Sequence, residues 1–347
     1  MSDLQVTSYV FDCPPCTVST GGSSGPVSTL KIAAKRYAFG NSVENTEGLT
    51  LLFAHCIGSH KEQWEPTIFH IFHRQQHKGA AHRVREAWSF DWQNHGDAAL
   101  LNREATKLRP DGISVNEWAS AIAAFVRTPY MKGHRILPLG HSAGAAAVLI
   151  SMKEFPIADI PYVGIVLIEP TMAPRDVFYA RYEERKAALD FAVSTTSVRR
   201  DTWRSKGDAF AYFTRRVPWK NWDSRIVKLL VDYGLEETEE GVKLKCDRRQ
   251  EAVSYGDAEP HFEGSNLITR LCHSLPIHLI FGARDDLVPD FIKDSLSDTS
   301  QGRFVASVSR VKHAGHMVVQ EQPERLADSI CDILDSTRSY SPVRSRL

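Results

Sequence analysis

Arg135-Ile-Leu-Pro-Leu-Gly140-His141-Ser142-Ala143-Gly144-Ala-Ala-Ala-Val-Leu-Ile150 joins an apolar run to an alanine-rich helical run through a turn of small residues. The pattern Gly-x-Ser-x-Gly is common by itself. Between a strand and a helix it prescribes a turn so tight that the chain nearly touches itself, which requires small residues at Gly140 and Gly144 and a strained backbone at the serine. The turn lifts the Ser142 hydroxyl clear of the sheet. The first turn of the following helix adds a dipole that favours negative charge developing beside it. An ordinary serine in a tight turn is the competing reading, and the flanking strand and helix weigh against it.

Outward from this turn, β-rich runs alternate with helical stretches, the pattern of a mostly parallel sheet with helices on both faces, an α/β fold. The runs LKIAAKRY (30–37), LTLLFAH (49–55), HRVREAWSF (82–90), RILPLGH (135–141), YVGIVLIE (162–169), IHLIFG (277–282) and RFVASVSRV (303–311) read as strands. Several are almost continuously apolar, as strands buried on both faces are. Ser114-Val-Asn-Glu117 is a capping box that starts a helix burying Val115, Trp118, Ile122, Phe125 and Val126. Pro323 opens a last helix with Leu326, Ile330, Ile333 and Leu334 on one face. Between Pro170 and Pro276 the strand rhythm stops. The expected organisation is therefore a lead-in over 1–28, a core over 29–170 and 277–336, a helical lid inserted over 171–276, and a tail over 337–347.

A serine hydroxyl needs a general base to attack at neutral pH. His316, in Lys312-His-Ala-Gly-His316-Met, lies just past the last expected strand; His313 is its local rival. The base needs a carboxylate to hold its tautomer, and two candidates stand at neighbouring strand ends. Asp285, after IHLIFG, is the preferred one, giving the order Ser…Asp…His; Glu169, ending YVGIVLIE, is the alternative. Two backbone N–H groups are expected to face the developing oxyanion: that of Ala143, and that of Ile57 in the loop His55-Cys56-Ile57-Gly58 after LTLLFA. Cys56 has no base beside it in sequence and is not expected to be the nucleophile.

Lys+Arg and Asp+Glu both number 42, so no net field points to nucleic acid or an anionic membrane, and a small-molecule partner is expected. No apolar run approaches bilayer length, and the first residues lack a secretory pattern. Six cysteines in 347 residues do not form a disulfide framework, and Cys13-Pro-Pro-Cys16 reads as incidental. His70, His73, His77 and His82 have no nearby acidic ligand and read as a polar helix face, so neither metal nor cofactor is expected. Ser345-Arg346-Leu347 is a conservative variant of the Ser-Lys-Leu address, which implies a peroxisomal import receptor as partner. In the lid, Arg199, Arg200, Arg204, Lys206, Arg215, Arg216 and Lys220 interleave with Trp203, Phe210, Tyr212, Phe213 and Trp219. This is either a site for CoA phosphates and adenine or a solvated amphipathic helix.

Together, LKIAAKRY, FAHCIGSHKEQWEP, the Ser114-Val-Asn-Glu-Trp118 helix start, GHSAG, GIVLIEP, KHAGHM and the C-terminal tripeptide resemble the fungal peroxisomal α/β-hydrolases of secondary metabolism, over most of residues 29–336. That group includes the acyl-CoA hydrolase of mycophenolic acid formation and the hydrolases encoded with Alternaria host-selective toxins. The resemblance implies an α/β-hydrolase fold with an inserted lid, and cleavage of an ester or acyl-CoA thioester through an acyl-enzyme. Many such hydrolases begin the oxyanion loop with His-Gly and place an aromatic nine residues after the His. Trp64 stands nine after His55, and Cys56 replaces the glycine. In the mycophenolic acid hydrolase the acid, an Asp, comes from the strand end that matches Glu169. A general carboxylesterase and a non-catalytic homologue that binds a small ligand remain alternatives.

Overall fold

The computed structural model describes residues 4–15 and 29–337. Its strands are β1 (Leu4–Asp12), β2 (Lys31–Phe39), β3 (Leu49–Ala54), β4 (Val84–Phe90), β5 (Arg135–His141), β6 (Ile165–Ile168), β7 (Thr202–Trp203), β8 (Leu235–Thr238), β9 (Gly241–Leu244), β10 (Ile277–Gly282) and β11 (Ser307–Val311). Eight of them form one sheet in the order β1-β2-β4-β3-β5-β6-β10-β11, and β7-β9-β8 form a small second sheet. From β4 to β11 every pairing is parallel, while β2 runs antiparallel to both β4 and β1. This is the α/β-hydrolase fold.

Alternation along the central strands sorts the core into two layers. Leu52, Ile165, Leu167, Leu279 and Phe281 face the helices Val115–Val126, Ala143–Ile150 and Glu259–Leu271. Leu51, Phe53, Val166, Ile168 and Ile280 face Glu65–Gln75 and Pro323–Ser336. All seven expected strands are present, most of them trimmed at the ends. The Ser114–Glu117 capping box forms, with Glu117 N–H donating to Ser114 Oγ at 3.2 Å and Ser114 N–H to Glu117 Oε2 at 3.0 Å. Behind it Trp118 is fully buried and stacks on Trp92, with ring centroids 5.1 Å apart and planes 6° from parallel. Trp118→Ala should therefore lower the unfolding free energy by about 3–5 kcal/mol, the usual cost of emptying an aromatic core site. Denaturant unfolding checks this; a loss below about 1 kcal/mol would show that the ring does not carry this layer.

Three expectations need correction. The lead-in holds β1, an edge strand whose Tyr9 and Phe11 pack on Trp88 and Phe125. The lid region is not purely helical, because β7, β8 and β9 lie within it. The helix Glu259–Leu271, inside the stretch assigned to the lid, belongs to the core layer: Leu267, Ile268 and Leu271 join Leu149 in one cluster, and Gly264 sits against Met172. Among the described residues no helix is long and apolar enough to cross a membrane. The tripeptide Ser345-Arg346-Leu347 and Cys16 lie outside the described residues.

Candidate active site

The strained turn is present. Ser142 has φ 56° and ψ −117°, between β5 and the helix that starts at Ala143. A side chain on Gly140 would strike the Gly144 carbonyl. One on Gly144 would come within 2.5 Å of the Ala54 carbonyl oxygen and 2.6 Å of that of His55. The bare glycine thus lets the helix N-terminus press against the end of β3, where the loop 55–58 begins. Ala143 is the first helical residue, so its N–H has no intrahelical acceptor and is available to a ligand.

His316 reaches this turn from the loop after β11. Its Nε2 is 3.1 Å from Ser142 Oγ and its Nδ1 is 3.0 Å from Glu169 Oε2. Glu169 is buried and follows β6 directly. It has φ 46°, a rare geometry for a non-glycine residue, and its Oε1 accepts the Gly282 N–H at 2.5 Å. Ser142 and His316 are themselves only 6% and 5% exposed, so the hydroxyl, imidazole and carboxylate stand in line in a nearly water-free place.

Asp285, the preferred carboxylate from sequence, is not at the histidine. Its side chain is half exposed, and its Oδ1 lies 3.4 Å from Lys293 Nζ. The next residue, Asp286, meets the histidine loop instead, through the loop's backbone. Asp286 Oδ1 accepts the His316 N–H at 2.9 Å. Glu321 adds a second hold on the loop, accepting the Gly315 N–H at 2.8 Å while Arg284 donates to both its oxygens. His313, the rival base, is exposed. His141, within the turn, is fully buried, and its Nε2–H donates to the His316 carbonyl at 2.7 Å, fixing that loop from below. Asp286, Glu321 and His141 were not singled out as functional from sequence. The only signal for Asp286 was its place beside Asp285.

The loop 55–58 is held by two buried neutral histidines. His55 Nδ1–H donates to the Cys56 carbonyl at 2.7 Å and its Nε2 accepts the Trp92 N–H at 3.0 Å, which assigns the tautomer. Burial pulls its pKa down to about 3. His95, stacked on Trp92, accepts the Gly58 N–H at Nε2, 3.1 Å away, and burial holds its pKa well below the usual histidine range. Cys56 is buried, and burial pushes its thiol up to about 12. A thiol so held stays protonated at neutral pH.

Part of the aromatic half of the basic lid patch is taken up by that region's own core, while Phe210 stays 37% exposed. Trp203, Phe213 and Trp222 are buried in the lid's own core with Ile226, Val227 and Leu230. Arg200 and Arg216 lie on the Tyr212 ring, and Arg199 is bound to Glu251.

A strand–turn–helix serine with an imidazole and a carboxylate behind it, on a mostly parallel sheet flanked by helices, defines a class of hydrolase fold. The comparisons agree: residues 51–329 match the family model described as alpha/beta hydrolase family, and the chain belongs to that family. No curated protein sequence matches it. Among solved structures it is similar to the peroxisomal alpha-beta-hydrolase Lpx1 of Saccharomyces cerevisiae, with TM-score 0.76, 17% identity and coverage of 99% of this chain and 92% of that one. It is also similar to the esterase Rv0045c of Mycobacterium tuberculosis (TM-score 0.61, 16% identity, 94% and 92% covered). A third is the thioesterase domain from the curacin biosynthetic pathway (TM-score 0.60, 12% identity, 95% and 99% covered).

Proposed function

We propose that this chain is a serine hydrolase that cleaves a carboxylic ester or an acyl-CoA thioester through an acyl-enzyme. Ser142 Oγ attacks the carbonyl carbon while His316 Nε2 takes its proton, and Glu169 holds the imidazole in the needed tautomer and offsets its positive charge. The N–H groups of Ile57 and Ala143 receive the oxyanion. The bond to the leaving thiol or alcohol breaks as His316 returns the proton to it. Water, deprotonated by the same imidazole, then frees the acid. The observation that carries the reading is the unbroken line from Ser142 Oγ through His316 to Glu169, at 3.1 and 3.0 Å.

The thioester is the favoured substrate, supported by the resemblance to acyl-CoA hydrolases and by Ser345-Arg346-Leu347, since a peroxisome is where acyl-CoA esters are handled. The neighbours include a peroxisomal hydrolase and a thioesterase domain, and such likeness raises the reading without identifying the acyl group. The test is intact mass spectrometry after brief exposure to a panel of acyl-CoA esters and, separately, to a fluorophosphonate probe. The expected result is an acyl or phosphonyl adduct on Ser142, absent in Ser142→Ala. No adduct from either reagent would overturn the serine mechanism. Equal turnover of a CoA ester and the matching methyl ester would overturn the CoA preference alone.

A further inference from the structure

The loop that carries Ile57 is gripped from both sides, and the grip on the outer side belongs to the lid. Glu251, on the helix Arg248–Ser254, is 1% exposed and takes both arms of the Arg199 guanidinium, Nη1 to Oε1 at 2.8 Å and Nη2 to Oε2 at 2.5 Å. Arg199 closes the lid helix Tyr182–Val198, and its carbonyl accepts from Arg248 Nη1 at 2.9 Å. The carboxylate lies directly against Gly58: a side chain there would sit 2.7 Å from Glu251 Oε1, and Gly58 has φ +75°. On the inner side the Gly58 N–H donates to His95. The residue after Ile57 is thus pinned between a core histidine and a lid carboxylate that is itself fixed by a guanidinium.

Resting on the serine mechanism proposed above, we infer that Arg199 and Glu251 are positioning residues for the oxyanion loop, so that the aim of the Ile57 N–H depends on the seated lid. A buried ion pair is a poor device for stability alone, because desolvation offsets most of its attraction; its strength is in fixing one geometry, and a bidentate Arg–carboxylate pair fixes it best. Lid attachment does not depend on this pair. Lys245 binds Asp97 at 2.6 Å and Arg103 binds Glu236 at 2.6 and 2.5 Å, both tying the lid region to the core elsewhere. Loss of the Arg199–Glu251 contact should therefore loosen the loop while the lid stays attached. Oxyanion donors act through placement, and misplacing one forfeits part of the hundredfold or greater factor that deleting one removes.

The test compares full-length Arg199→Gln, Arg199→Lys and Glu251→Gln with Arg103→Ala, which breaks a lid contact away from the loop. For each, the rate constant of Ser142 phosphonylation by a fluorophosphonate, kcat, KM and the thermal midpoint are measured. Phosphonylation needs the oxyanion donors but no acyl-group recognition. The expected result is a fall of roughly 10–100-fold in phosphonylation rate and kcat for Arg199→Gln and Glu251→Gln, with KM within about threefold. Arg199→Lys, which keeps the charge and loses the second contact, should fold and lie between them and the unaltered protein. Arg103→Ala should change neither rate. Phosphonylation and kcat within about twofold of the unaltered protein in a folded Arg199→Lys, or a change confined to KM, would overturn the inference. Should either Gln variant fail to fold, Arg199→Lys decides alone. Absence of Ser142 labelling in the unaltered protein would instead sink the serine mechanism, so the two failures are distinguishable.

Discussion

Glu169→Gln is expected to lower kcat on an activated ester by about 10³–10⁴-fold, while Asp285→Asn stays within about twofold. The first figure is what an amide in place of the carboxylate costs when the geometry is kept but the histidine tautomer is wrong and its positive charge uncompensated. The fold should survive the change, because the Gln carbonyl oxygen still accepts the Gly282 N–H that Glu169 Oε1 now takes. Glu169→Asp is a sharper variant. It keeps the charge but withdraws the carboxylate from His316 Nδ1 by about one C–C bond, roughly 1.5 Å, so an intermediate loss is expected. Asp285 has nothing to lose at the site, since its half-exposed carboxylate is turned to the buried Lys293 ammonium. Steady-state kinetics with thermal midpoints measured alongside decide the matter. A large loss from Asp285→Asn with little from Glu169→Gln would show that the histidine swings to the other strand tip during turnover.

That contest shows how far the sequence could be read. The serine turn was legible because its demand is steric and local: bare positions at Gly140 and Gly144, a strand before, a helix after. The parallel order was legible because strands buried on both sides must be apolar on both, as Leu51 to Phe53 and Ile165 to Ile168 are. The carboxylate was not decidable. β6 and β10 are neighbours, both end at the same edge of the sheet, and each is followed within a few residues by an acid. What separates them is a backbone torsion, the φ of 46° at Glu169 that turns its side chain inward, and pattern alone carries no such information. β1 was hidden by its polar, exposed edge. The lid's small sheet was hidden by the charged run LEETEEGVK, whose two halves pair with each other and leave Glu237, Glu239 and Glu240 in solvent. The Arg199–Glu251–Gly58 contact joins residues far apart in the chain and leaves no periodic trace.

The second large effect is on stability in mild acid. His55, His95 and His141 are each at most 1% exposed and are held as neutral rings. Burial is the leading cause in all three, with charge from neighbouring histidines adding to it. Their folded pKa values lie below the ordinary 6.5, so the contribution from their neutrality is complete above pH 6.5 and is lost as the pH falls through the window beneath it. In that window the unfolded chain takes up protons that the folded rings refuse, down to about pH 3 for His55. Each such ring lowers the unfolding free energy by about 1.4 kcal/mol per pH unit, and three acting together approach about 4 kcal/mol per unit. Set against a typical stability of about 5–15 kcal/mol, a slope of this order removes a substantial share of it below pH 6. Urea unfolding at pH 7.5, 6 and 5 should show the fall, and His55→Gln should flatten the slope by about one proton while lowering stability at pH 7.5. A midpoint that does not move between pH 7.5 and 5 would refute the account.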